Sequence, residues 1–102
     1  MPYYNLDDVR NIAKNGNIEY RGRKVRQDID NLGYEFTDII ACLMSLTCSD
    51  FYKSYEYENG NRDDAYRINF TANEHVESDP IYIKFALINN YLMIDLASLH
   101  LT

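Results

Sequence analysis

The chain has 102 residues, 46% of them hydrophobic and 25% charged, which excludes a disordered or fibrous protein and bounds it to one domain, residues 1–102, with a modest core. A net charge of −6 argues against a general nucleic-acid binder, since phosphate affinity rests on clustered Lys and Arg. No apolar run nears the roughly 20 residues of a membrane span and the N-terminus lacks a secretory pattern, so a cytoplasmic location is expected.

The charge is unevenly spread. Residues 1–26 carry six basic and three acidic groups, whereas residues 27–102 carry four and thirteen. Arg21, Arg23, Lys24 and Arg26 form one dense basic stretch, readable as a phosphate-binding segment or as a solvated loop. Ten tyrosines and no tryptophan supply rings with polar tips, suited to half-buried strands and stacking surfaces alike.

The first element is a helix. Leu6, Val9, Ile12 and Ala13 recur at helical spacing after Asn5, a good N-cap, and Gly16 stands where a C-terminal glycine stop belongs. Asn17 to Arg21 reads as a short extended piece. Val25, Ile29 and Leu32 mark a second amphipathic helix stopped by Gly33, and Thr37 can cap a third through about Leu46. The third spreads Ile39, Ile40, Cys42, Leu43 and Leu46 over a wide face, so it is expected to be the most buried. Cys42 and Cys48 lack zinc-site spacing and read as buried or half-buried thiols. His75 and His100 stand apart, with nothing beside them resembling a triad or ligand set, so each reads as surface or structural.

After Ser49 the period turns to alternation. Tyr55 and Tyr57 alternate with Glu56 and Glu58, a polar turn runs from Asn59 through Asp64, and Tyr66, Ile68 and Phe70 alternate with Arg67 and Asn69. Pro80 opens the strongest strand, Ile81–Ile88, followed by an Asn89-Asn90 turn and a last strand from Tyr91 to about Ala97. A two-residue turn sets Ile88 opposite Tyr91 and Lys84 opposite Asp95, an ordinary cross-strand ion pair. It also gathers Ile83, Phe85, Leu87, Leu92, Ile94 and Leu96 on the core face. Three helices followed by antiparallel strands give an α+β class.

The order of these elements, with LGYEF (32–36), SDFYKS (49–54) between a buried helix and a strand, DAYR (64–67) and IYIKFALINNYLMI (81–94), resembles the MqsR family of toxins over nearly the whole chain. The resemblance implies a RelE-like fold with three N-terminal helices packed on a C-terminal antiparallel sheet. It implies a type II toxin that cleaves single-stranded messenger RNA at GC-containing triplets, and a cognate MqsA-like antitoxin as partner. Lys53 and Tyr82 match the family's catalytic lysine and tyrosine; the position of its glutamine falls on Asp63.

Cleavage by internal transfer requires a proton acceptor for the 2'-hydroxyl, a group holding charge on the phosphate and a proton donor for the departing 5'-oxygen. Lys53, Tyr82 and Asp63 are the candidate catalytic residues, and Arg67, Lys84, Arg21 and Arg23 the candidate phosphate-binding ones. A tyrosine lowered in pKa by nearby cations would exchange protons. Asp63, next to Asp64 in what reads as an acidic loop, would repel the phosphodiester or act as the base. Without the resemblance, Tyr82 reads as a half-buried strand residue, and Lys53 and Arg67 as solvated ones. No metal-ligand cluster or phosphate loop stands out, so no cofactor is expected. A weakened relative acting only by binding, or an acidic protein-interaction domain, are the alternatives.

Overall fold

A computed structural model describes residues 1–102. The elements in chain order are α1 (Leu6–Lys14), β1 (Ile18–Tyr20), α2 (Arg23–Leu32), α3 (Phe36–Ser45), a single 3-10 turn (Cys48–Asp50), β2 (Phe51–Glu56), β3 (Arg62–Phe70), β4 (Asp79–Ile88) and β5 (Met93–Leu101). The architecture is α+β, three helices and one five-stranded sheet.

Local chemistry starts and stops the helices. Asn5 Oδ1 accepts the backbone N–H groups of Asp7 and Asp8, and Lys14 lies in the last turn, so charges at both ends of α1 complement its dipole. Gly33 ends α2 at φ +73°, a left-handed conformation that costs glycine little. The third helix begins two residues earlier than a Thr37 cap implies. Glu35 is its cap: its backbone N–H donates to the Asp38 carboxylate at 2.8 Å, and that carboxylate also accepts the Asn73 N–H at 2.9 Å. Cys42 is buried, whereas Cys48, expected to be at least half-buried, is exposed.

The sheet runs β1-β5-β4-β3-β2 and is mixed, a correction to the antiparallel expectation. The short piece after α1 is the reason. β1 lies parallel to β5, pairing Ile18 with Ile94 and Tyr20 with Leu96, while all other neighbours are antiparallel. Three residues carry too little pattern to reveal a pairing partner 76 positions away.

One face of the sheet carries the core. Ile81, Ile83, Phe85, Ile94, Leu96 and Leu99 are fully buried with Val9, Ile39, Leu43 and Leu46 of the helices. The β4–β5 turn differs from the two-residue expectation: Ile88 opposes Met93, and Asn89, Asn90 and Tyr91 all have φ near +60° in a four-residue loop. Leu92 therefore leaves the core and is 68% exposed. A shift of two residues preserves alternation, so Ile94 and Leu96 still point inward. Lys84 pairs with Ser98 and Asp95 with Ala86, so the expected Lys84–Asp95 ion pair does not form. A bulge between Lys84 and Phe85 adds one residue to β5, turning Leu99 inward and extending the strand past Ala97 to Leu101.

The polar turn expected to reach Asp64 ends earlier. Asp63 and Asp64 lie inside β3, with 1% and 0% exposure. Asp64 ties down the N-terminus: its carboxylate accepts the N–H groups of Tyr3 (3.1 Å) and Tyr4 (2.8 Å) and the Ser54 hydroxyl (2.8 Å). Asp64→Asn replaces one accepting oxygen by a donor facing a donor. It is expected to cost about 2 kcal/mol in urea unfolding; a change below a few tenths would show that these bonds contribute nothing.

Candidate active site

Strand alternation sends a second set of side chains to the face opposite the core, and a bulge enriches it. The β2–β3 register shifts between Phe51 and Lys53. Phe51 packs inward on Tyr66, while the next two residues, Tyr52 and Lys53, are both exposed on the outer face. Cross-strand pairing then builds rows. Arg67, Tyr82 and His100 lie side by side on β3, β4 and β5; Lys53, Ala65, Lys84 and Ser98 form the next row; Tyr55 lies opposite Asp63, and Ala86 opposite Asp95, in the third.

Tyr55 is the hub of these rows. The Nζ atoms of Lys53 and Lys84 lie 4.9 and 5.1 Å from its ring centroid, and its hydroxyl is 3.3 Å from that of Tyr82. The Arg67 guanidinium stacks 3.7 Å over the Tyr52 ring, which meets Tyr82 edge to face. Lys53, Arg67 and Lys84 thus share one face without a carboxylate partner among the ion pairs of the chain. Each rests against an aromatic face instead, which holds the cation without neutralising it and leaves its charge available to an incoming anion.

The Tyr82 hydroxyl is shifted opposite to the expectation of a lowered pKa. Burial pushes it above the ordinary tyrosine range, and the Tyr55 phenol beside it adds to the rise. The cations do not reverse this, because two of them sit over the Tyr55 ring rather than against the Tyr82 oxygen. At neutral pH Tyr82 is therefore a firmly protonated hydrogen-bond donor.

Asp63 lies at the edge of the cluster, in a strand rather than an acidic loop. Arg21 Nη1 and Nη2 each donate to it at 2.9 Å, the Tyr57 hydroxyl donates at 2.9 Å, and Arg21 Nε donates to Asp95 at 2.8 Å. Burial, the largest single influence, would raise the Asp63 carboxyl; Arg21, Tyr57 and Lys84 together outweigh it and hold the group below its ordinary value. A carboxylate already accepting three hydrogen bonds is an anchor and a poor proton acceptor, and its charge is matched before any phosphate arrives. Arg21, expected to bind phosphate, is engaged by two carboxylates. Arg23 heads α2, exposed, and joins none of these contacts.

Sequence reasoning missed two further neighbours. His100, which reads from the sequence as surface or structural because nothing beside it resembles a triad or ligand set, stacks on Tyr82 with centroids 5.1 Å apart, on a strand that extends past Ala97 to Leu101. The hub role of Tyr55 follows from sharing a strand face with Lys53, but its bond to Tyr82 depends on the β2–β3–β4 register. No group of three or more His, Cys, Asp or Glu side chains is placed to hold a metal ion, and no helix is long and apolar enough to cross a membrane. Residues 1–98 match the family model described as "Motility quorum-sensing regulator, toxin of MqsA". No curated protein matches the chain.

Proposed function

The chain belongs to the MqsR toxin family, and we propose that it is an endoribonuclease with a RelE-like fold, cutting single-stranded messenger RNA at GC-containing triplets. Its proposed partner is an MqsA-like antitoxin whose basic patches complement the acidic surface and speed association. The observation that carries the proposal is the set of three cations without carboxylate partners around the Tyr55–Tyr82 phenol pair, on one face of a chain whose net charge is −6.

Each group in the proposed reaction has a defined task. Lys53 and Lys84 flank the covered Ala65 in one row, and a phosphodiester approaches both ammonium groups from the outer face. Lys53, Lys84 and Arg67 stabilise the charge that accumulates on phosphorus as the 2'-oxygen attacks. The 2'-hydroxyl proton passes to solvent, the P–O5' bond breaks, and Tyr82 protonates the departing 5'-oxygen and is reprotonated by water. The products are a 2',3'-cyclic phosphate and a 5'-hydroxyl. Asp63 acts here through Arg21 as an anchor of the outer face.

Purified protein incubated with a mixed-sequence single-stranded RNA in a chelating buffer is expected to yield fragments with these ends. Tyr82→Phe removes the proton donor but keeps the ring between Tyr52 and His100, so cleavage is expected to fall about 10²-fold with an unchanged melting temperature. Intact RNA after incubation with folded wild-type protein would overturn the proposal.

A further inference from the structure

Beside the cation cluster the outer face continues into a cavity of about 390 Å³, bordered by Arg21, Tyr57, Asp63, Ala86, Asp95 and Tyr91 among others. We infer that it is a subsite for one unpaired nucleobase, stacked on the Arg21 guanidinium and the Tyr57 ring; this rests on the RNA-cleaving reading above.

Four observations support the assignment. First, Arg21 keeps 42% of its side chain exposed although three of its donors are bonded to carboxylates. Those carboxylates hold two edges of the guanidinium plane, so the side chain offers the cavity its flat face. Second, Tyr57 as a residue is 40% exposed while its hydroxyl donates to Asp63, so a second planar surface is held in place before any ligand arrives. Preorganised planes of this kind bind without an ordering cost.

Third, the charge selects the ligand. Asp63 and Asp95 against Arg21 leave this corner one unit negative, and Arg62 on the same cavity is paired with Glu56. A phosphate is disfavoured there; a neutral, flat, polarisable group fits, as single-stranded RNA recognition by aromatic and guanidinium stacking requires. Fourth, the spacing suits a chain of nucleotides. Asp63 is two residues along β3 from Ala65, which places the cavity roughly 7 Å from the Lys53–Lys84 row. That is within the reach of one extended nucleotide, so a phosphate between the lysines delivers an adjoining base to Arg21 and Tyr57. Ala86 keeps the floor open beside Asp95.

The test uses short RNA made uncleavable by 2'-O-methylation and scanned with single abasic positions, binding being read by fluorescence anisotropy. Wild-type protein is expected to lose about 10-fold in affinity at one abasic position next to the protected phosphate. In Tyr57→Leu and Arg21→Lys that position is expected to become no more sensitive than its neighbours, whereas Tyr57→Phe keeps most of the contrast. If Arg21→Lys does not fold, as its melting curve will show, Tyr57→Leu decides alone. A wild-type protein that cleaves RNA but shows a flat abasic scan overturns the subsite and leaves the nuclease standing. A scan unchanged in Tyr57→Leu also overturns it. Folded wild-type protein that neither binds nor cleaves any of the RNAs overturns the nuclease reading, and the subsite with it.

Discussion

Lys53→Ala is expected to lower single-turnover cleavage of a single-stranded RNA by about 10²–10³-fold, the loss typical of removing one preorganised donor from a developing oxyanion. The same substitution is expected to leave stability nearly unchanged. Lys53 is exposed, forms no ion pair, and touches the fold mainly by resting its ammonium over the Tyr55 ring, a contact worth about 0.5–1 kcal/mol at such a site. This split between activity and stability identifies a residue that acts on substrate. Lys53→Arg keeps the charge but spreads it over a longer planar group, so only partial recovery is expected. Cleavage by Lys53→Ala within threefold of wild type would remove this lysine from the reaction.

Arg21→Met is expected to destabilise the fold by about 3 kcal/mol at pH 7, and the cost is expected to shrink as the pH falls. Asp63 is buried and depends on the guanidinium for charge balance, whereas Arg21 itself is 42% exposed, so solvent screening keeps the effect below that of a fully buried pair. In the wild type the Asp63 carboxyl is held below its ordinary value of 3.8. The unfolded chain therefore takes up its proton first, and the stability from this pair is present above that value and lost as pH falls through the lower folded one. Without Arg21, burial is opposed mainly by the Tyr57 hydroxyl and lifts the carboxyl above its unfolded value. The folded variant then holds the proton more tightly than the unfolded chain, and stability drops as pH rises through the raised value. For a domain of this size about 3 kcal/mol corresponds to roughly 15 °C in melting temperature. Melting curves between pH 3 and pH 8 check the prediction, and a penalty that stays constant across the range would show that Arg21 does not balance Asp63.

The substitution at Asp63 itself takes a new meaning from this network. In an acidic loop, Asp63→Gln would relieve repulsion of the phosphodiester and improve cleavage at low salt. Inside β3 the same change strips Arg21 of its bidentate partner, so lowered stability replaces improved cleavage as the expected result.

The sequence by itself determined those features that depend on short-range pattern. Asn5 and Gly33 mark helix ends through local hydrogen bonds and backbone conformation, and Ile83, Phe85 and Leu87 face the core because alternation needs only the identity of neighbours two apart. The same alternation turned Arg67, Tyr82 and Lys84 outward, and the family resemblance added Lys53 to them. Tertiary structure decided what depends on register and distant partners. A two-residue shift in the β4–β5 hairpin keeps Ile94 and Leu96 on their expected face while exchanging their neighbours, so the facing of these two residues was legible when the Lys84–Asp95 pairing and the outward turn of Leu92 were not. Two adjacent aspartates in a strand read as a loop because burying a carboxylate is costly without compensation. The compensation for Asp63 comes from Arg21, 42 residues earlier, and for Asp64 from the backbone of Tyr3 and Tyr4, 60 or more residues earlier. Such partners meet only when β1 docks alongside β5 and the N-terminus folds against β3, long-range events whose energies have no counterpart in local sequence pattern.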